Sequence, residues 1–490
     1  MSEIRAHSGE DVQWDVSEDA IQDPEEIKVL FHALDSYLQY AKVSHFNCTH
    51  LRRQSFYAMS QEHWKMLAAP PFNYLETLDR VDEAIEKNAE LAREIVRFGL
   101  ESFRVGGSGS AGGDHANVAA SAAAGAEPKL PAPWAGAAKH QDVDKARSTL
   151  RQFFRDWSAA GAAEREQSYG PVFKALDDER QRRVEALMAK ILRSGGPQNY
   201  VEDEDDFDDF NHRLKVLVPG AGLGRLVFDL CCSGYESEGN EISYHQLLAS
   251  SYILNYTQHA EQHEIYPWAH SFSNHKVRSN HLRSYKIPDI HPSQKLMEIA
   301  MRQQAQAAGQ IQVQVDGQQA QDPEQGTEYG IGSMSMCAAD FLCLYSDAEH
   351  ADVFDAVACV FFLDTAPNLI RYLETIRHCL KPGGLLINVG PLLWHFENNA
   401  PGNHGRDDDG DGEHDASASS GIADPGSFEL SDDEVKALVE KLGFTVISHE
   451  TGVETPYIHD SDSMLQTVYR SSSWVARKPF KEEAPQKESK

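Results

Sequence analysis

Positive charge is scarce in this chain. Its 490 residues carry 45 Lys and Arg against 76 Asp and Glu, a net charge of −31. A nucleic-acid backbone or an anionic bilayer calls for clustered positive charge, so neither is expected as the main partner. Cysteine is scarce as well, with 7 residues (Cys48, Cys231, Cys232, Cys337, Cys343, Cys359 and Cys379) and no CxxC pair. That leaves no disulfide framework and no zinc-ligand spacing, so no metal is expected. Most of these thiols lie in apolar runs and read as buried and reduced. No apolar run approaches the ~20 residues that cross a bilayer. The polar, acidic stretch from Met1 to Asp23 lacks the basic-then-apolar pattern of a secretory signal. These absences together point to a cytoplasmic protein, with the nucleus also open.

What is present is enough apolar residue, 41%, for a large packed core. The chain divides by composition. Residues 1–23 are expected to be unstructured. Residues 24–104 have helical periodicity, through Leu30, Phe31, Leu34, Tyr37, Leu38 and Ala41 and again through Leu75, Leu78, Val81, Ile85, Leu91, Ile95 and Phe98, with Pro70 and Pro71 breaking the pattern between them. Residues 105–141 form a Gly/Ser/Ala-rich tract that buries too little apolar surface to offset chain entropy, and they read as a disordered linker. Helices follow from Val143 past Trp157 and over 179–193. From Leu214 the chain alternates strands and helices, as in a parallel, doubly wound sheet with helices on both faces. This α/β domain, residues 142–480, carries low-complexity insertions near 294–328 and 399–427. The second contains GRDDDGDGEHD, whose acids fall at the wrong spacing for a calcium loop. Residues 481–490 are a charged tail.

The strongest local motif is VLVPGAGLGRL over 216–226, in which a strand runs into a glycine-rich turn and then a helix. Gly220 and Gly222 let the backbone turn tightly and approach a ligand closely. The spacing is GxGxG, where a dinucleotide fingerprint needs GxGxxG. A second strand ends at Glu241, about 20 residues on, where an acid accepts hydrogen bonds from ribose hydroxyls; a solvated loop acid is the plain alternative. A third element, Asp340-Phe341, offers a carboxylate to an exocyclic amine and a ring to a base. In this order the three favour S-adenosylmethionine over NAD.

The wording of longer stretches is more specific. VLVPGAGLGRL, EGNEISYHQLLASSYILN, IYPWAHSFSN, FFLDTAPN, LKPGG and GPLLWHFE resemble the carnosine N-methyltransferases, the N2227-like family. The resemblance covers about 25–104 and 145–480 outside the insertions. It implies a Rossmann-like class I methyltransferase fold with an N-terminal helical region, S-adenosyl-L-methionine as cofactor, and carnosine (β-alanyl-histidine) as the small substrate methylated on its imidazole to give anserine. The family's cofactor positions fall on Gln152 and Arg155 in RQFFRDW, Gly220 and Gly222, Glu241, Asp340 and Phe341. Its substrate positions fall on Asp364, His395, Tyr457 and Tyr469, of which Asp364, His395 and Tyr469 are the catalytic candidates. The chain departs from the family at Gln466-Thr467-Val468-Tyr469, where relatives carry several tyrosines and here Tyr469 alone remains. A homodimer is left open.

The chemistry asks for position and protonation state. A sulfonium methyl is already activated, and only the imidazole nitrogen without a proton attacks it, so fixing the tautomer fixes the product. Asp364, at the end of a central strand, is placed to accept the distal N–H and to stabilise the imidazolium that forms; the same Asp-Thr also suits a helix N-cap. His395 orients the substrate or takes a proton, or is a satisfied core histidine. Tyr457 and Tyr469 hold the dipeptide or are wall residues. Arg155 pairs with the methionine carboxylate on the strength of the resemblance, and without it reads as a surface arginine. Two other functions stay open: methylation of histidine in other peptides or proteins, and a non-catalytic cofactor-binding interaction protein.

Overall fold

The computed structural model describes residues 3–5, 13–15, 24–102, 128–195, 213–307, 330–398 and 426–480. The expected linker up to 127, the acidic run 202–209, the insertions from 308 to 329 and 399 to 425, and the tail lie outside the described residues.

Two adjacent strands explain the architecture. β3 (Lys215–Pro219) and β8 (Phe354–Val360) are buried along almost their whole length. Successive side chains point to opposite faces, so Val216, Val218, Ala356 and Ala358 enter one apolar cluster while Leu217, Val357 and Cys359 enter another. A sheet apolar on both sides must be covered on both sides. One face is covered by α1 (Pro24–Ser44), α2 (Tyr74–Ser102), α3 (His140–Trp157), α4 (Ala162–Arg193), α5 (Arg225–Cys232) and α6 (Tyr244–Asn255). The other carries α7 (Phe341–Tyr345), α8 (Leu369–Cys379) and α9 (Asp432–Lys441). Leu34, Val81, Ile95 and Phe153 share their cluster with Val216 and Leu248, so the N-terminal helices are a layer of the same core.

The remaining strands of the main sheet are β1 (Glu3–Arg5), β2 (Gln13–Asp15), β4 (Glu236–Glu241), β7 (Ser333–Ala338), β9 (Leu380–Gly390), β10 (Thr445–Pro456) and β11 (Val468–Arg477). A separate antiparallel pair is formed by β5 (His263–Ile265) and β6 (Tyr285–Ile287). The sheet order is β10-β11-β9-β8-β3-β4-β7-β1-β2. From β3 the chain steps outward through β4 to β7, then returns to the other side of β3 for β8 and β9. That reversal opens a crevice at the carboxyl ends of β3 and β8, where sheets of this kind bind ligands.

Two short strands, β1 and β2, stand within the stretch 1–23 expected to be unstructured, paired with each other and joined to β7 through Glu3. Three further expectations change. The sheet is mixed: β7, β4, β3, β8 and β9 are parallel, but β11 runs antiparallel to both β9 and β10. β10 and β11 are joined without a crossover helix, which only antiparallel neighbours allow. The start of β11 therefore lies at the same sheet edge as the end of β9. Second, residues 128–139, within the stretch expected to be a disordered linker, dock on α1. Trp134 stacks on Phe31 with centroids 5.2 Å apart, and the buried Asp35 carboxylate accepts from Gly136 and Ala138 N–H at 2.9 and 2.8 Å. Third, the helix expected over 179–193 begins at Ala162 and contains Pro171, and the Gln-rich insertion opens as a helix, Pro292–Ala307.

Candidate active site

The strand ends converge on one crevice. After β3 the backbone turns through Gly220 and Gly222, at φ +67° and +57°. A side chain at either would collide with a neighbour: a Cβ on Gly220 would lie 2.8 Å from the Phe362 ring, and one on Gly222 would lie 2.8 Å from Gln152 Nε2. The turn thus brings bare backbone between α3 on one side and the loop after β8 on the other. Glu241, at the end of β4, is buried beside it. Its Oε2 accepts from Gly222 N–H at 3.0 Å and its Oε1 from Ile242 and Ser243 N–H at 2.9 Å each. Burial pushes its carboxyl above the ordinary carboxylate range, and the three amides pull it back in part.

α3 is latched to this turn. Trp157 Nε1 donates to Leu223 O at 3.0 Å, and Arg225 Nη1 donates to Asp156 O at 2.9 Å and to Asp289 Oδ1 at 2.7 Å. Arg165 completes the buried group through Asp289 Oδ2 at 2.8 Å. These ties hold Gln152 over the glycines, where its amide donates to Asp156 Oδ2 and accepts from Gln246.

Arg155, one turn on, is buried rather than on the surface. Its guanidinium lies 5.0 Å from the Tyr457 ring, 5.3 Å from Phe361 and 5.8 Å from Tyr169. Burial disfavours its charge, and Tyr169, Asp156, Tyr457 and Glu164 outweigh that, raising its pKa. Its buried Nε has no hydrogen-bond acceptor among the described residues, the nearest carboxylate oxygen being Asp156 Oδ1 at 3.5 Å.

Phe361 and Phe362 follow β8, and Asp364 lies in a short turn over Leu363–Thr365. The helix N-cap is Asn368, which removes the capping role considered for Asp364. Asp364 is buried, its Oδ2 accepts from Leu393 N–H at 2.9 Å, and its backbone carbonyl accepts from His395 N–H at 3.2 Å. The loop carrying His395 is thereby tied to Asp364, and the His395 side chain is exposed rather than packed in the core. Burial pushes the Asp364 carboxyl up, partly countered by Leu393 N–H and by His395.

Tyr457 and Tyr469 arrive from the ends of β10 and β11, both half-buried. Each meets Phe361, with centroids 5.1 and 6.1 Å away. Burial also pushes the Tyr457 phenol up, against the pull of Arg155.

Gln152, Arg155, Gly220, Gly222, Glu241, Asp364, Tyr457 and Tyr469 therefore line one edge of the sheet. Asp340 and Phe341 sit at the end of β7. Asp340 is the N-cap of α7, with Oδ1 accepting from Leu342 and Cys343 N–H. The Phe341 ring is buried against Tyr345, Phe362 and Tyr372, which corrects its expected stacking on a base. Sequence reasoning missed Phe361 and Phe362 as site residues, although FFLDTAPN contains both. Phe361 takes φ +54°, and no residue-type signal announces a left-handed phenylalanine.

A family model described as carnosine N-methyltransferase matches residues 133–196 and 199–480. A Schizosaccharomyces pombe protein of that name is 32% identical over 459 residues, covering 93% of this chain and 97% of its own length. A Drosophila melanogaster protein of that name is 29% identical over 463 residues, covering 94% of this chain and 81% of its own. A Mus musculus protein of that name is 28% identical over 446 residues, covering 91% and 85%.

Proposed function

The chain belongs to the carnosine N-methyltransferase family, and on that premise we propose that it transfers the methyl group of S-adenosylmethionine to the imidazole of carnosine, giving anserine. The observation that supports this reading is the packing of Phe362 over Gly220, a Cβ on which would lie 2.8 Å from the Phe362 ring, with Asp364 following two residues on in the chain.

The crevice fits S-adenosylmethionine. The glycine turn admits a ligand against bare backbone, and Glu241 stands where ribose hydroxyls are bound. Asp340 and the start of α7 flank the adenine end. Gln152 and the buried Arg155, whose Nε awaits an acceptor, suit the amino-acid end. When bound, the cofactor supplies an activated methyl on a sulfonium, open to in-line displacement.

The protein's own task is to present the other reactant. Carnosine's imidazole has a reference pKa near ~6.5, so much of it is neutral at physiological pH. Asp364 Oδ2 is engaged by Leu393, and Oδ1 accepts the distal N–H of the ring. That holds the proton on the distal nitrogen and turns the lone pair of the nearer one toward the methyl. Asp364 would stabilise the positive charge that methyl transfer places on the ring. The distal proton then leaves to solvent through the exposed His395, restoring a neutral ring. Tyr457, Tyr469 and Phe361 wall the ring and exclude water.

The test is transfer from methyl-labelled S-adenosylmethionine by the purified chain. Label in carnosine supports the reading. Label in polypeptide and none in carnosine replaces it with a histidine methyltransferase of proteins.

A further inference from the structure

Glu164 stands in the first turn of α4, only 5% exposed. Both of its oxygens face one short piece of backbone: Ile458 N–H donates to Oε1 at 2.5 Å, and His459 N–H donates to Oε2 at 3.1 Å. Arg151, on α3, grips the same piece from the other side, its Nη2 donating to Ile458 O at 3.2 Å. The segment so held is strained. Ile458 has φ +46°, in the left-handed region that β-branched residues avoid, and such a conformation persists only where its surroundings impose it. The residue before it is Tyr457, whose ring covers the Arg155 guanidinium and meets Phe361. Glu164 Oε1 lies 3.9 Å from Arg155 Nε, so the carboxylate that fixes the turn also faces the cation under that ring.

We propose that Glu164 is a positioning residue for the methyl acceptor: it clamps the Ile458–His459 backbone in its strained turn and thereby holds Tyr457 as a wall of the dipeptide pocket. This rests on the reading of Tyr457 as a pocket residue. The logic is one of differential effect. The glycine turn and Glu241 belong to β3 and β4 and are tied to α3 through Trp157 and Arg225, none of which depends on Glu164. Loss of the clamp lets Ile458 relax toward negative φ and carries Tyr457 with it, while the nucleoside side of the crevice stays in place.

The test uses Glu164→Gln, which keeps the shape but turns an NH2 against one of the two amides, and Glu164→Ala, which removes both acceptors. For each, KM and kcat for carnosine, S-adenosylmethionine affinity by calorimetry, melting temperature, and hydrogen exchange in peptides spanning 457–459 are measured. In Glu164→Gln the KM for carnosine is expected to rise about tenfold, the pattern of lost substrate binding, while S-adenosylmethionine affinity changes by less, and only through the lost charge that faces Arg155. Exchange at 458 and 459 should quicken, while the glycine turn is unchanged. A KM within about twofold of the parent together with unchanged exchange overturns the proposal. So does a parallel loss of carnosine and S-adenosylmethionine binding with a lowered melting temperature, which marks a general structural role. If the parent protein methylates no carnosine, the substrate reading fails by itself, and the exchange measurement still decides whether Glu164 holds the turn.

Discussion

Phe362 lies so close to Gly220 that a Cβ there would fall 2.8 Å from its ring. Gly220 also sits at φ +67°, where an L side chain is strained by ~1–2 kcal/mol. Gly220→Ala must therefore distort the turn or push Phe362 away, and either change would spoil the floor of the proposed cofactor site. The expected outcome is a loss of S-adenosylmethionine affinity of about tenfold or more, the equivalent of ~1.4 kcal/mol, read by calorimetry. Affinity within twofold of the parent would mean that the turn is not where the nucleoside lies.

The proposed mechanism gives Asp364 two tasks that separate experimentally. Asp364→Ala removes both the anchor for Leu393 N–H and the charge facing the substrate ring, and turnover should fall by about 10²-fold or more. Asp364→Asn retains an oxygen for Leu393 but no charge, so it should keep the loop and still lose most of kcat. S-adenosylmethionine affinity should stay near the parent value in both. Burial raises the carboxyl pKa, so the acid loss of kcat in the parent should lie above the pH at which an exposed aspartate protonates. A fully active Asp364→Asn would remove the electrostatic role.

His245 and His281 are buried and His263 and His270 are half-buried, and this burial disfavours the charge on each ring. Burial depresses His245, His263 and His281 to about 4 and His270 to about 3. A histidine that resists protonation when folded adds stability that is complete above its unfolded value of 6.5 and is lost as pH falls through the interval down to its folded value. The protein should therefore lose stability between about pH 6.5 and 4, seen as a falling urea midpoint. His45 works the other way. Partial burial lowers its pKa, but the Glu86 and Asp82 hydrogen bonds outweigh that and leave it raised. Its contribution is present below 6.5 and lost as pH rises through its folded value. Accordingly, His45→Gln should be more destabilising at pH 6 than at high pH. A urea midpoint that holds steady on acidification would contradict the depressed pKa of these four histidines.

The parts of this picture legible in the sequence are those set by periodicity and short-range chemistry. Val216 to Val218 running into three glycines fixed a strand and a turn at once, and Glu241 followed from the length of one strand-helix-strand unit. The antiparallel β11 was hidden because a strand's direction depends on its partner, which no local pattern records. The helix read over 179–193 begins at Ala162, and Pro171 stands inside it. Phe341 had the right residue type for stacking on a base, but its ring direction after β7 is set by packing against Phe362 and Tyr372. Glu164 gave no signal, because its partners are backbone amides 294 and 295 residues away.

In the proposed mechanism Asp364 fixes the tautomer of the substrate's imidazole. Nuclear magnetic resonance of the product made from carnosine and methyl-labelled S-adenosylmethionine tests it most directly, by locating the new methyl on the ring. The account predicts a methyl on the nitrogen nearer the peptide alone, that is, anserine. A methyl on the distal nitrogen, or a mixture of the two products, would contradict it.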